Sequence, residues 1–198
     1  MRNRYILYCL IMISLTACVK NEPIAEVQNA KIQGNIYLIK KGSHAASGNN
    51  FQLLRTNVIQ CEVTFDSSAI YQSVNPVNQE DVNKLMGFSD CNDEHHRNSA
   101  RLGWSWNGHA VALYAYAYTN GERVIKALGD VEVNQPVKCS VSALGDKYFF
   151  SVGSTRDSLP RHCNGYNNAR YKLYPYFGGD EVAPHDIQIR IRDLATSD

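Results

Sequence analysis

The residues of this 198-residue chain best suited to chemistry are tyrosines at alternate positions, accompanied by basic side chains. In the run HAVALYAYAYT, Tyr114, Tyr116 and Tyr118 fall on one side of an extended strand. Val111, Leu113, Ala115 and Ala117 fall on the other, because strand side chains alternate faces. The run RYKLYPYF sorts in the same way, with Tyr171, Leu173, Pro175 and Phe177 against Arg170, Lys172, Tyr174 and Tyr176. The runs at 101–106 and 187–191 leave Arg101, Ser105, Gln188 and Arg190 facing outward. If these strands share a sheet, Arg101, Tyr114, Tyr116, Lys172, Tyr174 and Arg190 form one ligand surface. Such a surface suits an anionic sugar polymer: rings stack on sugar C–H faces, and arginine matches carboxylate or sulfate geometry. A second reading stays open, since strand propensity alone enriches tyrosine and the small residues opposite do not fix which face points inward.

Two loops carry other chemistry. Residues 90–101, DCNDEHHRNSAR, bring Asp90, Asn92, Asp93 and Glu94 close together, and GGDEVAPHD adds Asp180, Glu181 and Asp186. These are oxygen donors of the kind Ca²⁺ takes, with Asp90, Asp93 and Asp180 as the candidate set. The spacing does not fit an EF-hand, and solvated acidic loops are commoner than ion sites, so the expectation is no metal and no cofactor. A zinc set of Cys91, His95, His96, His162 and Cys163 has no finger spacing. Gly178-Gly179 after YPYF reads as a sharp turn.

The elements that must position these residues read as strands. Asn107-Gly108 and Asn120-Gly121 sit between alternating runs, the strongest short-range hairpin signal. SARLGWSW, ERVIKAL, VEV, VKCSVSAL, KYFFSVG and HDIQIRIRDL continue the meander, with earlier strands in KIQGNIYLIK and from Leu54 to Phe65. One short helix is expected over 78–86, capped by Asn78 and stopped by Gly87. The fold class is therefore all-β: about ten strands in an antiparallel β-sandwich or jelly roll. Residues 31–198 read as one such domain.

The N-terminus sets the compartment. Arg2 and Arg4 precede an apolar stretch from Tyr5 to Ser14, too short for the roughly 20 residues that cross a bilayer. It ends in Leu15-Thr16-Ala17-Cys18, which reads as a lipoprotein box. Residues 1–17 are then a signal peptide and Cys18 the lipidation site, carrying a diacylglyceryl group with palmitate-like chains. Residues 18–30 form the tether. Val19 stands where an aspartate would favour inner-membrane retention, so a lipid-anchored place in a bacterial cell envelope at the outer membrane is expected.

In that oxidising setting Cys61, Cys91, Cys139 and Cys163 are disulfide candidates. Four cysteines allow three connectivities. Pairing strand with strand and loop with loop gives Cys61–Cys139 and Cys91–Cys163. The net charge of +1, from 20 Lys+Arg and 19 Asp+Glu, drops to −1 once the signal leaves with its two arginines. That balance argues against a nucleic-acid partner. GxGxxG, Walker, HExxH and GxSxG signatures are all missing, which removes nucleotide, zincin and α/β-hydrolase readings.

The segments NSARLGWSWNGHAVALYAYAY and YKLYPYFGGDEVAPHDIQIRIR resemble lipid-anchored envelope proteins with a concanavalin-like jelly roll, the group that holds lectins and alginate or glucuronan lyases. The resemblance covers residues 85–192 and implies a sandwich whose concave sheet meets a polysaccharide. It sets Arg101 at the arginine of an R-x-E-L-like strand, although this chain continues Leu102-Gly103. The group's Q-I-H segment is absent, and YPYFGG echoes its late YFKAG-like strand. A lyase of this kind would use Arg101 to neutralise a uronate, His109 as base, and Tyr116 or Tyr174 to exchange protons. Because the motif breaks off after Arg101, the leading expectation is glycan binding without catalysis. A uronate lyase working by β-elimination is the alternative, and a structural or adhesive envelope protein the third.

Overall fold

The computed structural model describes residues 34–163 and 169–195. The expected signal peptide, Cys18 and the tether lie outside the described residues. Twelve strands are found among the described residues. They are β1 (Asn35–Ile39), β2 (Leu53–Leu54), β3 (Val58–Phe65), β4 (Asn83–Ser89), β5 (Ser99–Trp106) and β6 (Val111–Thr119). β7 (Glu122–Val131), β8 (Val137–Leu144), β9 (Lys147–Val152), β10 (Thr155–Pro160), β11 (Arg170–Leu173) and β12 (Ile187–Asp193) follow. They build two antiparallel six-stranded sheets, ordered β1-β12-β3-β8-β9-β10 and β2-β11-β4-β5-β6-β7. The all-β sandwich expected from the alternating runs is the fold.

The core fills the space between the sheets with the alternate residues of each strand. Burial along β3 (VIQCEVTF) switches at every residue, so Ile59, Cys61, Val63 and Phe65 point inward. From the opposite sheet come Phe88, Leu102, Trp104, Leu113, Ala115 and Ala117, all fully or nearly fully buried. Trp104 meets Phe65 at 5.3 Å between ring centroids and so bridges the two layers. Each large apolar side chain removed from water in this way contributes about 1.5–3 kcal/mol.

Several expectations are corrected. Residues 78–86 are no helix: Asn75 caps a 3-10 turn over Pro76–Glu80, and Asn83–Met86 already belong to β4. Gly87 is glycine because β5 passes over it, not as a helix stop. A Cβ there would run into the Ala100 carbonyl oxygen and the Cα and Cβ of Arg101. Gly129-Asp130 is no turn but part of β7, where a bulge opposite Leu113 and Tyr114 absorbs an extra residue. The TRDSLP strand was not anticipated.

The disulfide expectation divides. Cys91 and Cys163 are bridged, while Cys61 and Cys139 are free thiols. They stand directly opposite one another on β3 and β8, both within the core, and the Cys139 thiol points to the Val137 carbonyl at 3.8 Å. Burial raises both thiol pKa values, that of Cys139 to about 12, which keeps them protonated and unreactive.

Asp90, one of the oxygen donors in the candidate calcium set, is fully buried and engaged in ion pairs. Arg161 Nε meets one of its oxygens at 2.5 Å, Arg170 Nε the other at 2.8 Å, and the Tyr148 hydroxyl donates at 3.1 Å. Asp93 pairs with Arg97 on the surface, so the proposed set with Asp180 does not assemble. Asp90 lies between β4 and the Cys91–Cys163 bridge, and the ion pairs tie the approach to β11 to the second sheet.

Candidate functional site

The face of the second sheet that points away from the core carries the functional groups. Cross-strand register fixes which residues share it. Tyr114 lies opposite Gly103, Tyr116 opposite Arg101 and Tyr118 opposite Ser99. Across the next pair Gly103 faces Lys84, Arg101 faces Gly87, and Ser99 faces Ser89. Leu173 of β11 follows opposite Gly87, and Arg123 and Ile125 of β7 flank Tyr118 and Tyr116. The tyrosine stripe is therefore on the outer face, and Leu113, Ala115 and Ala117 are the inward set. Glycines at 87 and 103 let neighbouring groups pack directly over the strands in the middle of the face. At Gly103 a Cβ would strike the Val82 side chain.

A bulge in β4 arms the site. Pairing with β5 slips between Lys84 and Gly87, which frees the Leu85 carbonyl from the ladder. Arg101 Nη2 donates to that carbonyl at 2.9 Å and to the Tyr174 carbonyl at 2.6 Å. Among the described residues its Nε has no hydrogen-bond partner and no carboxylate pairs with it. Arg101 is only 7% exposed, and burial pulls its guanidinium down to about 10, still charged at neutral pH.

Lys84 stands beside it. Its Nζ donates to the Gly178 carbonyl at 2.5 Å and sits 5.9 Å from the Tyr116 ring centroid and 5.7 Å from that of Tyr176. Burial, then repulsion from Arg101 and Arg123, lowers its pKa to about 8, with Asp81 opposing. Tyr116 is hydrogen-bonded to Tyr118 and Arg123, and burial is the main reason its phenol rises to about 12. Tyr114 shares a 3.1 Å hydrogen bond with Ser105, and both lie on the same face.

Two walls rise from loops. On one side residues 93–97 fold over Ser89 and Ser99. The His95 ring nitrogen lies 3.0 Å from the Tyr171 hydroxyl, and the His96 ring centroid 5.4 Å from that of Tyr118. Burial, then His96 and Arg101, lowers the His95 pKa. On the other side Tyr176 bridges to Lys84 through both backbone hydrogen bonds and stacks on His44 at 5.1 Å.

Of the residues expected from sequence, Arg101, Tyr114 and Tyr116 come together. The side chains of Lys172, Tyr174 and Arg190 do not join them, and Tyr174 reaches Arg101 only through its carbonyl. β12 belongs to the other sheet, so the premise that its strand shares a sheet with 101–106 is wrong, and Arg190 lies elsewhere. Along β11 the phase is the reverse of that expected: Tyr171 and Leu173 face the site. Lys172 turns to Asp193 at 2.9 Å, and Tyr174 packs toward Tyr37 at 5.9 Å. His109 sits exposed in the β5–β6 turn, its amide bonded to Asn107, away from Tyr116. Lys84 and Arg123 went unrecognised, Tyr176 was sorted to the right face but not to the site, and His95 and His96 were weighed only as zinc ligands. Lys84 was hidden by the helix assignment, and Arg123 had a usable signal in its place beside the Asn120-Gly121 hairpin.

The arrangement collects three cations around Tyr116 in a trough between these walls, which is chemistry for holding an anion. The architecture matches solved structures. The alginate lyase AlyC3 aligns over 81% of this chain and 73% of its own, with TM-score 0.55 and 12% identity. The alginate lyase from Klebsiella pneumoniae aligns over 70% and 59%, with TM-score 0.51 and 14% identity, so this chain spans less than two thirds of that enzyme. A Bacteroides ovatus mixed linkage glucan GH16 protein, solved with its product, aligns over 80% of both chains with TM-score 0.51 and 9% identity. No family model matches the sequence, and no curated protein does. The chain has a jelly-roll β-sandwich, the fold that these alginate lyases and the GH16 protein also have.

Proposed function

We propose that this protein binds an anionic, uronate-type polysaccharide in the trough on the outer face of the second sheet, from a lipid anchor at Cys18 in the outer membrane of a bacterial envelope. One observation carries the reading: Arg101, Lys84 and Arg123 converge around Tyr116, and among the described residues no carboxylate pairs with the buried Arg101. A buried cation without a counterion is costly, and a ligand carboxylate would offset that cost. Tyr116 itself is buried, and the partly exposed rings of Tyr114 and Tyr118 with the Tyr176–His44 stack supply flat surfaces for sugar rings. The alginate lyases sharing the fold support a uronate as the ligand class.

Affinity electrophoresis of the protein through gels containing alginate, polygalacturonate or a neutral glucan tests this. Retardation by the polyuronates alone is expected, weakening with added salt and in Lys84→Gln and Arg123→Gln. Equal retardation by the neutral glucan, or none by any polyuronate, would overturn it.

A lyase is the second reading, favoured by Lys84 being held near 8 beside the Tyr116 phenol. In β-elimination a base takes the C5 proton, the C4–O4 bond breaks, and a phenol protonates the leaving oxygen as the C4=C5 double bond forms. Neutral Lys84 would serve as the base and Tyr116 as the acid. A rise in ultraviolet absorbance from unsaturated uronate on incubation with these polymers supports it. A flat trace across all of them removes it.

A further inference from the structure

We infer that the edge strand β2 carries a distal sugar-stacking subsite, so that the trough reads the length of a uronate chain and not a single residue. The inference rests on the uronate-binding function proposed above. Leu54 packs inward against the core, which places Leu53 and Phe51 on the outer face with Arg101. Leu53 lies opposite Tyr171, and the Lys172 amide donates to the Gln52 carbonyl, which extends the pairing back toward Phe51. Phe51 is 76% exposed and Leu53 64%, whereas other apolar residues of this sheet are mostly covered. The Phe51 ring lies 5.7 Å from that of Tyr171, whose hydroxyl meets His95.

These residues continue the row Tyr116, Arg101, Gly87, Leu173 to the margin of the sheet. From β6 to β2 the row crosses four strand intervals, about 19 Å, the reach of several pyranose units. Between the cations and Phe51 the row passes through Gly87 and Leu173, which bring no charge of their own. The cations lie at one end and the exposed aromatic at the other. A polymer anchored by its carboxylate at Lys84 and Arg101 therefore meets Phe51 only if it extends across β11. Continuity with the cationic row makes the same polysaccharide chain the occupant of this apolar margin.

The test is calorimetric titration with oligouronates from disaccharide to hexasaccharide, using the full mature protein. Wild type should bind more tightly as the chain lengthens. Phe51→Ala should weaken hexasaccharide binding about tenfold and leave the disaccharide unchanged, while Phe51→Tyr keeps the wild-type pattern. Because Phe51 is exposed, an unchanged melting temperature verifies that the variant is folded. An equal loss at every length, or no loss, overturns the inference. So does a change in oligomeric state of Phe51→Ala on gel filtration with length dependence intact, which would make the margin a contact between copies. A wild type that binds no uronate of any length defeats the underlying function, whereas one that binds all lengths alike defeats only the distal subsite.

Discussion

Replacing Lys84 by methionine should separate function from stability. In the folded protein the ammonium is held at about 8 against 10.5 in an open chain, chiefly by burial. Each pKa unit is about 1.4 kcal/mol, so the charge costs the native state at most about 3 kcal/mol at neutral pH. Partial exposure reduces that to about half. Methionine loses the bond to the Gly178 carbonyl, returning about 1 kcal/mol. The variant should therefore match the wild type or exceed it by about 1 kcal/mol, although it binds polyuronate more weakly. The sign with pH is fixed. Between about 8 and 10.5 the unfolded chain holds the proton that the native state has lost, so wild-type stability rises with pH through that window relative to Lys84→Met. Below about 8 the penalty is fully present. Urea unfolding of both proteins across this range, with binding measured in parallel, is the assay. Destabilisation of Lys84→Met by more than about 1 kcal/mol at neutral pH would show that the lysine is a structural strut and refute the reasoning. So would parallel pH curves.

Three further outcomes follow from the fold. Asp90→Asn leaves Arg161 and Arg170 buried without their shared carboxylate, and should cost about 3–5 kcal/mol, lowering the melting temperature by on the order of 10 °C. A loss below about 1 kcal/mol in chemical denaturation would mean that water reaches the site. Reducing Cys91–Cys163, or changing both residues to serine, opens a loop spanning 72 residues and should cost about 2–4 kcal/mol in urea. Gly87→Ala drives a methyl into the Ala100 carbonyl and Arg101, and should lower both stability and polyuronate affinity. Wild-type affinity in a folded Gly87→Ala would show that Arg101 is not at the ligand.

The fold was legible because each strand is a nearly uninterrupted alternation bounded by turn residues. β5, β6, β8 and β12 emerge within two residues of the runs that announced them. The segment at 78–86 misled for a physical reason. Asn78 and Gly87 carry helix-end chemistry, but Lys84 to Phe88 have β5 on one side and Tyr176 on the other, and those pairings outweigh local propensity. β10 escaped notice because TRDSLP lies at a sheet edge, where only Leu159 is buried and no alternation is written.

The site was half legible, and the missing half depends on strand order. Period-two alternation correctly separates Tyr114, Tyr116 and Tyr118 from their small neighbours, but it cannot say which strand lies beside which. Arg190 and Arg101 look equivalent along their own strands and fall on different sheets. Phase also breaks where the chain leaves β11 at Tyr174-Pro175. Tyr171 and Leu173 face the trough, the chain then turns, and Tyr176 re-enters opposite Lys84, a switch no constant period predicts. Lys84 itself is placed by a bulge, and the same bulge frees the carbonyl that holds Arg101. Two of the three cations are thus set by one irregularity in register, so the charge of the trough arises where the regular pattern fails. An extra residue in β4 costs a ladder bond, and what it provides is a buried guanidinium beside a lysine with a lowered pKa. Such a feature stabilises nothing by itself and has a clear use once a carboxylate arrives.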